Sequence, residues 1–289
     1  MKYVGTVYRP PSEARSLIIQ MTVGCAHNSC TFCSMYKDKK FYVRDTDEVI
    51  DEFREAYEYY GDTVKRIFLA DGDALGVDTK ELLKVLDYIK THFKHAERVT
   101  VYGTPHDVLE KSEEELTSLR EAGIEMVYMG AESGDDIVLK NINKGVTSDE
   151  IIRAGLKLKK CGIKVSITLI SGLGSSARLK EHAINTAKLI SAIKPEYVGF
   201  LTLMLDDAAP ITKQIKRGDF KLLTPDEIVE EMRLLLTNVD AEGTVFRSNH
   251  ASNYMSLKGT LNRNKDRMLK QLEKVKENSM YKHESLRML

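Results

Sequence analysis

Short apolar runs alternate along the chain with longer stretches in which apolar residues recur every three or four positions. These are the signatures of buried strands and amphipathic helices. Runs at 17–23, 66–70, 98–102, 126–130, 164–170 and 197–203 predict strands, with a shorter one at 244–247. The stretches 46–59, 79–93, 112–122, 148–160, 178–193 and 225–236 predict helices between and after them. Several helix ends are legible. Ser112 stands three residues before Glu115, and Thr224 precedes Pro225, both N-terminal signatures. Gly61, Gly123 and Gly162 each follow a helical stretch, where a C-cap calls for positive φ. Strands that are each followed by a helix imply an α/β fold with a parallel sheet and right-handed crossovers. The rhythm suits a partial (βα)6 TIM-like barrel, with an open doubly wound sheet as the rival. Both place ligands at the carboxyl ends of the strands.

Composition narrows the function. The 289 residues suffice for one barrel or two modest domains. Forty-three basic residues balance 43 acidic ones, which argues against nucleic acid or an anionic membrane as a partner. Hydrophobic residues make up 42%, charged residues 30%, and no apolar run approaches the ~20 residues of a bilayer span. Residues 1–16 lack an apolar segment after a basic start, so the expected location is cytoplasmic. No linker or repeat interrupts 17–205, which gives a core domain over 1–205 and a C-terminal extension over 206–289 that completes or caps the barrel mouth. Within that extension, 263–289 holds eight basic and four acidic residues and reads as a solvated helix face.

Three of the four cysteines, Cys25, Cys30 and Cys33, fall within nine residues directly after the first predicted strand. In a reducing compartment such a triplet points to metal or catalysis rather than disulfides. Three thiolates can hold three irons of a [4Fe–4S] cluster and leave the fourth iron without a protein ligand. Structural zinc, completed by His27 or a distant histidine, is the alternative that the spacing permits. A loop at a barrel mouth, rather than a zinc-ribbon hairpin, favours the cluster.

The pattern Cys-x4-Cys-x2-Cys, with Phe32 before the last cysteine, resembles the cluster loop of radical S-adenosylmethionine (SAM) enzymes, in which the commoner first spacing is one residue shorter. The resemblance implies that the free iron chelates SAM. It also implies reductive cleavage to methionine and a 5′-deoxyadenosyl radical that abstracts hydrogen from a substrate. Other strand ends supply matching segments. Asp71-Gly72-Asp73 resembles the acidic turn that receives the methionine ammonium. Glu132-Ser133 resembles the ribose-binding strand end, and Lys144, twelve positions later, is matched with the methionine carboxylate. Gly172 and Gly174 resemble the adenine-side motif. Arg247, Asn249, His250 and Asn253, after the last short strand, are the substrate-facing candidates. With only Cys161 left over, cysteine cannot ligate a second cluster.

Within the superfamily the chain resembles a compact stand-alone member of the group that includes oxygen-independent coproporphyrinogen oxidases and methylthiotransferases. The expected activity is hydrogen abstraction from a small or medium organic substrate, with an electron donor such as flavodoxin or ferredoxin. Modification of tRNA or a peptide is a second reading, and a non-catalytic zinc-stabilised binding protein a third.

Overall fold

A computed structural model describes residues 2–287; Met1 and the last two residues of the expected extension lie outside the described residues. The chain begins with β1 (Leu17–Gln20), β2 (Thr22–Val23), β3 (Tyr42–Val43) and α1 (Thr46–Tyr60). It continues through β4 (Arg66–Ala70), α2 (Thr79–His92), β5 (Arg98–Tyr102), α3 (Pro105–Glu110), α4 (Glu113–Ala122) and β6 (Ile124–Glu132). Next come α5 (Asp136–Asn141), α6 (Ser148–Lys160), β7 (Lys164–Ser171), α7 (Leu179–Ile193) and β8 (Tyr197–Thr202). The last elements are α8 (Pro210–Arg217), α9 (Pro225–Asn238), β9 (Val245–Ser248), β10 (Leu257–Thr260) and α10 (Lys265–Glu277).

The strand order of the main sheet is β1-β4-β5-β6-β7-β8-β9-β10. β1 pairs parallel with β4, β4 with β5, β5 with β6, β7 with β8 and β8 with β9; β10 returns antiparallel to β9. Each parallel strand is added on the same side as its predecessor, with none inserted back beyond β1. That is the winding of a TIM-like barrel, here partial, and not the reversal of a doubly wound sheet.

Local chemistry explains the element ends. Ser112 and Glu115 form the reciprocal capping box, as do Thr224 and Glu227 ahead of Pro225. The expected strand 17–23 divides in two, because the chain leaves the main sheet at Met21 and Thr22–Val23 pairs with β3 instead. β10 escapes the pattern because Leu257–Thr260 is four residues long and contains Lys258 and Gly259; pairing with β9 holds it.

Contacts divide the chain into two compact units. Residues 2–28, 35–129 and 156–165 form one, and 29–34, 130–155 and 166–287 the other. In the first, Phe68, Ala70, Met126 and Tyr128 form a buried cluster against which Ile18 and Tyr102 pack. In the second, Leu223, Ile228 and Tyr254 cluster with Leu179 and Tyr281, and the Arg287 guanidinium lies 3.8 Å from the Tyr254 ring centre. Among the described residues, no helix is long and apolar enough to cross a membrane.

Candidate functional site

In the first unit, the turn after β4 is built onto the root of the cysteine loop. Backbone pairing continues past the strands: Asp71 N–H donates to the Thr22 carbonyl at 3.2 Å and Gly72 N–H to the Gly24 carbonyl at 3.1 Å. The two carboxylates then bracket Cys25. Asp71 Oδ2 accepts from Gly24 N–H at 3.1 Å, and an Asp73 oxygen accepts from Ala26 N–H. Asp71 Oδ2 also takes Gln20 Nε2 at 3.0 Å and Lys39 Nζ at 2.9 Å, so a wholly buried carboxylate carries its own counter-ion. Its other oxygen, Oδ1, is buried without a partner. A side chain at position 72 would press on the Cys25 Cβ at 3.0 Å and the Tyr36 ring at 3.2 Å, which explains the glycine. Burial, and then the Asp73 carboxylate, push the Cys25 thiol up to about 12. A metal takes the thiolate, so binding at Cys25 releases that proton.

The second unit holds the remainder of the loop, Cys30, Phe32 and Cys33, all partly exposed. Here Thr31 N–H donates to the Ile142 carbonyl at 2.9 Å and the Thr31 carbonyl accepts from Ile211 N–H at 2.8 Å. At the end of β6, Glu132 has φ +65, a left-handed conformation that few non-glycine residues adopt. Its Oε1 pairs with Lys144 Nζ at 3.1 Å, while Oε2 is buried without a partner. Gly130 leaves room for that pair, since a Cβ there would meet the Glu132 carboxylate and Lys144 Nζ at 3.1 Å.

Ser133, Gly134 and Asp135 then dock on α7. Ser133 Oγ contacts His182 Nδ1 at 2.8 Å, Gly134 N–H donates to Thr186 Oγ1 at 3.0 Å, and Asp135 accepts from Asn185 Nδ2 at 3.0 Å and Arg178 Nη2 at 2.8 Å. After β7, Gly172 needs its glycine for φ +90, and Gly174 because a Cβ would sit 2.9 Å from the Arg178 carbonyl and the His182 Cβ. A cavity of about 340 Å³ in this unit is lined by Thr31, Val138, Ile142, Leu173, Gly174, Ile211 and Phe220, among others. That volume lies within the usual range of small-molecule sites.

The four substrate-facing candidates separate. Asn253 is buried, with Oδ1 accepting from Thr202 Oγ1 at 2.9 Å and Nδ2 donating to the Phe200 carbonyl at 2.8 Å, so it pins the loop to β8. Arg247 is exposed and donates to the Phe246 carbonyl of its own strand at 2.9 Å. Asn249 is exposed, and His250 is partly exposed with Nδ1 accepting from Ser252 N–H at 3.1 Å. Burial, and then Lys282, hold the His250 imidazole below its ordinary range.

The sequence pattern did not single out Lys39, Gln20, His182 or Glu231. Lys39 sits in a run of basic residues that looks solvated. Glu231 left a trace, since it lies on the same face of α9 as Ile228 and Leu235, where a charge is out of place.

The model of the radical SAM superfamily matches residues 19–184. The chain belongs to the radical SAM superfamily. Enzymes of this family use a [4Fe–4S] cluster and SAM. Among curated relatives, the heme chaperone HemW of Bacillus subtilis is 21% identical over 230 residues, covering 76% of this chain and 58% of that protein. The uncharacterized protein YtqA, also of Bacillus subtilis, is 22% identical over 216 residues, covering 71% and 64%. Among solved structures, the coproporphyrinogen III oxidase HemN of Escherichia coli, a radical SAM enzyme, superimposes with a TM-score of 0.57 at 19% identity, covering 77% of this chain and 52% of HemN. The chain thus spans less than two thirds of HemW, of YtqA and of HemN.

The residues present fit the family's cofactors. SAM brings an ammonium group and two ribose hydroxyls, all hydrogen-bond donors. Asp71 Oδ1 and Glu132 Oε2 are acceptors buried without partners, and such an orphan costs about 1–3 kcal/mol until a donor reaches it. Among the described residues, no three His, Cys, Asp or Glu side chains gather closely enough to hold one metal ion. A cube asks for a different arrangement, because each thiolate ligates its own iron.

Proposed function

We propose that this chain is a radical SAM enzyme that removes a hydrogen atom from a small or medium-sized organic substrate. Bound to the chain, a [4Fe–4S] cluster and SAM supply one-electron reductive cleavage of the sulfonium and a carbon-centred radical for hydrogen abstraction. In this reading, Cys25, Cys30 and Cys33 hold the cluster and Phe32 covers it. Asp71, Gly72 and Asp73 receive the ammonium end of SAM. Lys39 pairs with Asp71 Oδ2 at 2.9 Å while Oδ1 stays available. Glu132 binds the ribose through Oε2, with Lys144 fixing the other oxygen and lying close to the methionine carboxylate. Ser133, Gly172 and Gly174 shape the nucleoside end.

The observation that carries the reading is the pair of orphan carboxylate oxygens, one at the end of β4 and one at the end of β6. Asn249 and His250 are the loop groups left to meet substrate, with Arg247 on the strand before them. A neutral His250 that accepts at Nδ1 carries its proton on Nε2 and offers a donor there. The electron comes from a soluble carrier such as flavodoxin or ferredoxin, in the cytoplasm.

The test is anaerobic reconstitution, reduction with dithionite in the presence of SAM, and chromatography for 5′-deoxyadenosine. The reading expects deoxyadenosine from the wild type, and a Glu132→Ala variant that binds SAM at least about tenfold more weakly, the loss of one charge-assisted contact. No deoxyadenosine above the unreduced control overturns it.

A further inference from the structure

Two side chains outside the motifs join the turn after β6 to the turn after β7. His182, on α7, is 1% exposed. Its Nε2 lies 3.2 Å from the Ile170 carbonyl, which can only accept, so Nε2 carries the proton. Its Nδ1 is then the acceptor for the Ser133 hydroxyl at 2.8 Å, and the Ser133 oxygen in turn accepts from Asp135 N–H at 2.9 Å. Glu231, on α9, is fully buried, with Oε1 3.7 Å from His182 Nε2. That same oxygen accepts from the Ser171 hydroxyl at 2.6 Å and Gly172 N–H at 3.0 Å. Glu231 thus accepts from the last residue of β7 and from the glycine that follows it, and both ends of the histidine are spent on the two strand ends.

We propose that His182 and Glu231 are positioning residues of the SAM site, which lock the Ser133 turn and the Ser171–Gly172 turn at one separation. The proposal rests on the reading that Glu132, Gly172 and Gly174 contact SAM. A buried acid is costly in a folded interior unless its oxygens are well bonded. Here it is spent on a two-residue turn whose Gly172 holds φ +90, a conformation that a loosely held turn leaves readily. Fixing that backbone before the ligand arrives spares the ordering cost at binding. Helix α9, beyond residue 205, thereby becomes part of the cofactor site and not an optional cap.

Equilibrium dialysis of radiolabelled SAM against the reconstituted full chain, with iron content and urea unfolding measured in parallel, decides the matter. Glu231→Ala is expected to load iron as wild type and bind SAM about tenfold more weakly, an effect typical of lost supporting contacts. Glu231→Gln keeps an oxygen for Ser171 and Gly172 and is expected to recover affinity to within about threefold. A merely structural role would lower both unfolding midpoints without separating the two variants in SAM affinity. Wild-type affinity in Glu231→Ala, or equal weakening in both variants, overturns the proposal. Glu132→Ala run alongside separates the two failures: if it weakens SAM while Glu231→Ala does not, only the positioning role falls, and if neither weakens SAM, the reading of the site falls with it. Should Glu231→Ala not fold, Ser171→Ala removes one of the carboxylate's hydrogen bonds. A weakening of about threefold then supports the proposal and wild-type affinity overturns it.

Discussion

The turns after β4 and β6 carry the same signature, acid and glycine at the end of a buried strand, but their glycines answer to different neighbours. Gly72 yields space to the side chain of Cys25, and Asp71 and Asp73 accept from the backbone on either side of that cysteine. Gly134 yields space to the backbone of α7, where a Cβ would run into the Asn185 carbonyl and sit 2.7 Å from the Thr186 Cα. One turn is shaped by the cysteine loop and the other by a helix. Both leave one carboxylate oxygen buried and open, Asp71 Oδ1 and Glu132 Oε2. A shared motif therefore goes with a shared unpartnered carboxylate oxygen, while the scaffolding behind it is local.

The counter-ions give the sharpest way to separate the two turns. Lys39 and Asp71 have side chains 4% and 0% exposed, against 12% and 9% for Lys144 and Glu132. Lys39→Met strands a buried carboxylate and is expected to destabilise the chain by about 3–5 kcal/mol. Lys144→Met should cost less, about 1–3 kcal/mol, because its pair is wetter. Urea unfolding measures both, and equal losses would break the distinction. Next in size are the glycines. Gly134→Ala forces backbone apart and is expected to cost about 1–3 kcal/mol with iron loading intact. Gly72→Ala pushes on Cys25, so its main effect should be reduced iron content at a smaller cost in stability. Reversed effects would exchange the roles assigned to the two turns.

The smallest effect concerns the next strand end of the first unit. Asp107 closes a capping box with Thr104, and burial, then the charge of Asp73, push its carboxyl up to about 6. A carboxyl raised above its unfolded value holds its proton more tightly in the folded chain. Its contribution is therefore complete below pH ~4 and is lost as pH rises through about 6. Asp107→Asn should flatten that part of the stability profile, read from urea midpoints between pH ~4.5 and ~7.5. An unchanged slope would place the titration elsewhere.

Much of this was readable before any coordinates. Period and punctuation located β4, β5 and α6 to the residue, because charged or glycine positions bound the two strands and Gly162 follows closely on the helix. The short helices α5 and α8 were not, since six and eight residues hold too few turns for a periodic stripe. At the site, the acids and glycines at the strand ends were visible as motifs, but their supports were not. Lys39 and Glu231 are ordinary charged residues in sequence, and only the fold buries them against Asp71 and Ser171. Asn253 stood out as a polar loop residue, and its polarity turns out to satisfy Thr202 and the Phe200 carbonyl.

The metal itself tests the account most directly. Iron and acid-labile sulfide, counted per chain after anaerobic reconstitution and checked by electron paramagnetic resonance of the reduced protein, should come to about four of each with a cubane signal. Both should vanish when Cys25, Cys30 and Cys33 are all changed to alanine. One tightly held zinc per chain, or iron loading that survives the triple substitution, would contradict it.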